Sequence, residues 1–191
     1  MSTQRDILLQ VVEHLEDLHI PYMVVGSFAS SYWGRPRFTH DADIVVEVSL
    51  EKAPVLAHAL EAQFYAPAFA IEKAVHEHSH FNIIHLEHAF KVDFWVRRDE
   101  EFARKSFARR RRVTMFERQV FISSAEDTIL SKLQWYKASP VLGQQLKDAL
   151  EVYETQKPGV DEAYLDRRAA ALTVSDLLVR IRAEAASRSV S

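Results

Sequence analysis

The sequence predicts an α+β protein in which a small mixed β-sheet flanked by helices occupies about residues 1–122 and a helical subdomain occupies 123–191. Three observations predict it. Short apolar runs of strand length, YMVV at 22–25, DADIVVEV at 41–48 and KVDFWV at 91–96, are interleaved with segments of helical spacing. From residue 123 onward only helical spacing remains. At 191 residues with a hydrophobic fraction of 48%, the chain can bury one ordinary core with a helical appendage.

In order along the chain, Ile7, Leu8, Val11, Leu15 and Leu18 fall at helical spacing, with Glu13, Glu16 and Asp17 on the other side, which predicts a helix from Thr3 to His19 stopped by Pro21. Tyr22 to Val25 follows as a strand. Phe28 to Trp33 reads as a short helix closed by Gly34. After the strand at 41–48, Val55, Leu56, Ala59 and Leu60 predict a helix within 50–64. Phe81 to Leu86 and Ala89 to Val96 predict a hairpin turning at Glu87-His88, and Gln119 to Ile122 a strand that closes the sheet. Ser123 and Glu126 have capping-box spacing and open a helix through Ile129, Leu130, Leu133 and Tyr136, broken at Ser139-Pro140. Helices over 141–156, 161–171 and 175–185 complete the chain, with 186–191 as a loose tail.

Composition narrows the function classes. A formal net charge of −3 excludes a protein that is basic overall, so any nucleic-acid contact must come from a local patch. The absence of cysteine removes disulfides and thiolate metal sites. No window is apolar over a length that would span a bilayer, so no membrane association is expected and the cytoplasm is the expected location.

The chemistry centres on 24–48. Side chains two apart in a strand share a face, so Asp41 and Asp43 present two carboxylates to one place, as a hard cation such as Mg²⁺ requires. Gly26 lets backbone approach a ligand, and the helix that follows aims unpaired N–H groups at its own N-terminal side. Asp93 lies inside an apolar run, where an ionised group is costly unless paired or metal-bound. Each feature has a plainer reading, since Asp-x-Asp and Gly-Ser are common in turns. Arg35 and Arg37 read equally as phosphate-binding or as solvated loop residues. His76, His78 and His80 alternate, so on a strand they would share a face that could bind a transition metal. Residues 97–118 carry nine Arg or Lys against four acids, a solvated face or a patch for RNA.

Gly26-Ser27, a small helix ending at Gly34, and Arg37-Phe38-Thr39-His40-Asp41-Ala42-Asp43 together resemble the minimal nucleotidyltransferase pattern of the DNA polymerase β-like superfamily. The Arg-x-Thr-x-Asp-x-Asp form resembles its AbiEii toxin-like branch. Glu126-Asp127 through Lys132-Leu133 resembles a second segment of that branch, and Gln144 to Asp148 a third, with Gln144 where arginine is usual. The resemblance implies a nucleotidyltransferase-type mixed sheet and transfer of an NMP from an NTP. It assigns Mg²⁺ or Mn²⁺ to Asp41, Asp43 and Asp93, the nucleotide to Gly26, Ser27, Arg37 and Lys132, and catalytic roles to Asp41, Asp43, Asp93, Lys132 and Asp148. The acceptor it suggests is an RNA end, especially of tRNA, in a toxin paired with an antitoxin partner. Protein adenylylation and small-molecule (antibiotic) nucleotidylation are the alternatives, and a non-catalytic nucleotide-binding module is the rival of another class.

Overall fold

The computed structural model describes residues 4–141 and 143–188, and these fall into two compact units. Met1–Ser27 with Thr39–Ser123 form the first, and Phe28–Phe38 with Ser124–Ser191 the second. The Phe28–Phe38 segment thus groups with the C-terminal helices, although the sequence places it inside the sheet-bearing part.

The first unit begins with α1 (Gln4–Asp17), whose Ile7, Leu8, Val11, Val12 and Leu15 are buried. Its expected start at Thr3 lies outside the described residues. The stop is made by His19 rather than Pro21: His19 turns left-handed at φ 50° while Ile20 N–H reaches back to the Leu15 carbonyl at 2.8 Å. Then come β1 (Tyr22–Val25), the first residues of α2 (Gly26–Trp33), β2 (Asp41–Val46), α3 (Ala53–Leu60), β3 (Phe64–Tyr65), α4 (Ala68–Glu77), β4 (His80–His85), β5 (Lys91–Val96), α5 (Glu101–Ala108), β6 (Arg111–Met115) and β7 (Arg118–Ile122).

The seven strands run in the order β3-β4-β5-β2-β1-β7-β6. β2 pairs with β5, and β1 with β7, in parallel, and the other pairs are antiparallel, so the sheet is mixed. One face is core: Ala42, Ile44 and Val46 on β2, Val92 and Phe94 on β5, and Phe81 and Ile83 on β4 are buried. In-register Phe81 and Phe94 stack with ring centroids 4.7 Å apart. The alternation that buries these residues turns Asp41, Asp43, Lys91, Asp93 and Trp95 to the opposite face.

Two expectations are corrected here. The histidine-rich stretch is not a strand: His76 is in the last turn of α4, His78 is its left-handed cap at φ 46°, and only His80 is on β4. They share no face, because Ala68, Ile71, Ala74 and Val75 impose helical spacing that overrides the alternation of the imidazoles. β7 does not close the sheet; β6 is the edge, and its exposed Arg111 and Arg112 are the charged side chains that discourage edge-to-edge pairing. The basic stretch keeps to local partners, as the solvated-face reading expects. Arg97 pairs with Glu47, Arg98 with Glu100, Arg104 with Asp99, Lys105 with Glu101 and Arg118 with Glu13. Arg110 lies over the Phe107 and Phe121 rings.

The second unit holds the rest of α2 with α6 (Ala125–Ala138), α7 (Gly143–Gln156), α8 (Glu162–Ala171) and α9 (Ser175–Arg188). α9 takes in 186–188 of the expected tail, and 189–191 lie outside the described residues. The capping box sits one residue later than expected. Ser124 is the N-cap, accepting from Asp127 N–H at 3.1 Å and donating to its carboxylate at 2.9 Å. Asp127 is fully buried and also accepts from the Tyr164 hydroxyl at 2.7 Å, while Glu126 accepts from Asp161 N–H. Both acids of that segment therefore tie α6 to α8. Gly34 is needed for close packing, because a Cβ there would lie 3.0 Å from Val152 N on α7. Among the described residues, no helix is long and apolar enough to cross a membrane.

Candidate active site

The parallel register of β2 and β5 sets Asp41 beside Lys91 and Asp43 beside Asp93, so four charged side chains form a two-by-two square on one face of the sheet. β1 extends the second row with Val25 beside Asp43, which brings the following residue, Gly26, under that carboxylate. The approach is too close for any side chain. Gly26 has φ 62°, and a Cβ on it would stand 2.1 Å from Asp43 Oδ2. Gly26→Ala is therefore expected to cost about 2 kcal/mol or more, from left-handed strain plus displacement of Asp43. Urea denaturation checks it, and an unchanged midpoint would contradict the contact. Ser27 follows, half-buried, in the first turn of α2.

Each acid of the square is held. Thr39, itself buried, donates its hydroxyl to the Asp41 carbonyl at 3.0 Å and to Asp41 Oδ1 at 3.2 Å. Trp95, two residues beyond Asp93 on the same face, donates its indole N–H to Asp43 Oδ1 at 3.2 Å and carries His80 stacked on its ring. Lys91 reaches Asp93 Oδ2 at 2.6 Å. That hydrogen bond to Asp93 holds the Lys91 ammonium above its usual pKa against the opposing effect of burial, with Asp41 and Asp43 adding to it. The third acid is thus balanced by a lysine, which answers how KVDFWV carries an ionised group.

As the side chains stand, no three His, Cys, Asp or Glu among the described residues are gathered into a group that could hold a metal ion. The donor chemistry still fits Mg²⁺, which needs only one or two carboxylates and takes its other ligands from water and substrate phosphate. Asp41 and Asp43 supply that pair, and Gly26 keeps backbone rather than side chain beside it.

The second unit gathers the other predicted residues. Asp148, on α7 and only 2% exposed, accepts from Lys132 Nζ at 2.8 Å, Arg37 Nε at 3.0 Å and Nη2 at 2.9 Å, Gln144 Nε2 at 2.6 Å and the Ser30 hydroxyl at 3.3 Å. Burial pushes the Asp148 carboxyl up, but the Arg37 and Lys132 cations and the Gln144 amide outweigh it and hold it down at about 2. Gln144, in place of the arginine usual in the resembled family, keeps a bond to Asp148 one helical turn on, and Arg37 brings a guanidinium there. Lys132 is buried, not the solvent-facing lysine its spacing also allows.

Lys91, Trp95 and Ser30 are absent from the residues the sequence singles out, and Thr39 enters only as the threonine of the Arg-x-Thr-x-Asp-x-Asp form, with no role given to it. The first two were within reach of the period-two rule that pairs Asp41 with Asp43, since 91, 93 and 95 share a face. Ser30 carries no such signal.

No family model matches the chain, and no curated protein is similar enough to match. Solved structures are. A crystal structure of ANT(2'')-Ia in complex with adenylyl-2''-tobramycin is 16% identical, with 96% of this chain and 99% of that one covered at a TM-score of 0.54. An antigenic nucleotidyltransferase-like protein from Paracoccidioides brasiliensis is 16% identical over 95% of this chain and 94% of its own, with a TM-score of 0.52. The lincomycin-bound lincosamide antibiotic adenylyltransferase LnuA is 10% identical over 80% of this chain and 99% of its own, with a TM-score of 0.53. At these identities the likeness is one of fold, and the fold is that of nucleotidyltransferases.

Proposed function

We propose that this protein is a metal-dependent nucleotidyltransferase that moves an NMP from an NTP to an acceptor hydroxyl and releases pyrophosphate. The observation that carries this reading is the in-register pair Asp43 and Asp93, with Asp41 on the same face and Gly26 directly beneath Asp43. Asp41 and Asp43 would hold Mg²⁺ or Mn²⁺, which when bound neutralises charge on the triphosphate. Asp93 would take the proton of the attacking hydroxyl or give the cation a further oxygen. Gly26 and Ser27 offer backbone N–H groups to phosphate. In the helical unit, Lys132 is the cation for nucleotide phosphate, and Asp148 fixes its ammonium and the Arg37 guanidinium.

The acceptor we favour is a small hydroxylated molecule. The basic stretch that suggested RNA has most of its cations in local ion pairs or over rings, and of the similar folds one is in complex with adenylyl-2''-tobramycin and one is named a lincosamide antibiotic adenylyltransferase. A toxin role with an antitoxin partner has less support, because Glu126 and Asp127 are accounted for by helix capping and only Lys132 of that segment is left to carry it.

Label transfer tests the reading: each α-³²P-labelled NTP with Mg²⁺, offered in turn small hydroxylated compounds including aminoglycosides and lincosamides, total RNA, and extract protein. Label on a small molecule is the expected result. Label on RNA or protein instead would reassign the acceptor, and NTP binding without transfer to any pool would leave the non-catalytic module.

A further inference from the structure

Lys91 is the member of the charge square that the proposed reaction does not use. It lies directly beside Asp41 in register, yet its ammonium crosses to Asp93 Oδ2 at 2.6 Å. Its side chain is 43% exposed whereas that of Asp93 is 13% exposed, so the lysine can swing into solvent and the acid cannot follow. Three carboxylates and one ammonium leave the square with a formal charge of −2 in place of −3. An ordinary surface pair would contribute little. This one sits among two further carboxylates in register, whose mutual repulsion its ammonium offsets.

We infer that Lys91 is a resident counter-cation of the acid square, holding Asp93 in the metal-free protein, and that a divalent cation must displace it to gain the third carboxylate. The inference rests on the nucleotidyltransferase reading for the cation's purpose, but it concerns binding and is testable without turnover. Lys91 is on this account a positioning residue. It holds Asp93 in place in the metal-free protein, and it sets the affinity for free cation low, so that the cation comes to stay when triphosphate adds its own charge and ligands.

The experiment is Mn²⁺ binding to nucleotide-free protein, read by the loss of the free-ion EPR signal, for wild type, Lys91→Gln, Asp93→Asn and the double variant, each checked by circular dichroism. Lys91→Met stands in should Lys91→Gln not fold. Removing the lysine is expected to tighten Mn²⁺ binding by about tenfold or more when Asp93 is present, and to produce no such gain when it is Asn. Equal tightening in both backgrounds would mean that Lys91 acts only through its long-range field and would overturn the inference. So would an unchanged or weaker affinity in Lys91→Gln. Failure of both wild type and Lys91→Gln to bind Mn²⁺, even with an NTP present, would overturn the cation site itself, an outcome distinct from the other two.

Discussion

Asp43→Asn is expected to lower nucleotidyl transfer by at least about 10³-fold, equivalent to about 4 kcal/mol of transition-state stabilisation, while leaving thermal stability unchanged or raised. The substitution keeps the shape of the side chain, and a carboxamide oxygen can still accept from the Trp95 indole. What it removes is charge. In the free protein that charge works against folding, because Asp43 and Asp93 are directly opposed in register on adjacent strands with Asp41 two residues away. On the proposed reading it would be one of the two carboxylates that first take up a cation, before Asp93 leaves Lys91. Opposite signs of the two effects are the mark of a functional acid. A structural aspartate would lose stability, and a surface one would lose neither. Asp41→Asn is expected to behave alike, because its bonds from Thr39 survive the change. Single-turnover transfer and melting curves on the two variants decide it, and retention of more than about a tenth of the rate in both would remove the two-acid site.

The acid site was legible because strand geometry is short-range. The period of two that joins Asp41 to Asp43 needs no tertiary information, and β2 forms where the sequence puts it, Asp41–Val46 against an expected 41–48. The neighbour relation between β2 and β5 is of another kind. It was expected from the family resemblance, which joins Asp93 to Asp41 and Asp43, but the actual register, Asp43 to Asp93, is fixed by which faces bury Ile44 and Phe94. Lys91 is encoded by the same period of two, since it shares the face of Asp93. α4 was missed because imidazoles at alternate positions imitate a strand, whereas Ala, Ile and Val at helical spacing after Pro67 carry the structure. The capping box went astray by one residue because two overlapping pairs, Ser123 with Glu126 and Ser124 with Asp127, have the same spacing, and only burial of Asp127 against Tyr164 selects the second. The convergence of Arg37, Lys132, Gln144 and Ser30 on Asp148 joins residues up to 118 apart, which no local pattern encodes.

Asp148→Asn is expected to cost about 3 kcal/mol at neutral pH and to make the stability difference from wild type shrink in acid. The carboxyl is held down at about 2, against an ordinary value of 3.8. Because the folded value is depressed, the stabilisation is fully present above the unfolded pKa and is lost as pH falls through the folded one, so the window is from about pH 4 down to about pH 2. Linkage alone gives about 2 kcal/mol for that shift, and stranding buried Lys132 beside Arg37 with no carboxylate raises the cost toward the roughly 3–5 kcal/mol of a broken buried pair. Urea denaturation of both proteins across pH 3 to 7 should therefore show two curves that run parallel above about pH 5 and converge below about pH 4. Lys132→Met separates charge from packing. With the lysine gone, Asp148 keeps Arg37 and Gln144, so Asp148→Asn should cost less in that background, by about 1 kcal/mol or more. A pH-independent difference, or one equally large without Lys132, would mean that Asp148 fills space rather than holding two cations in position.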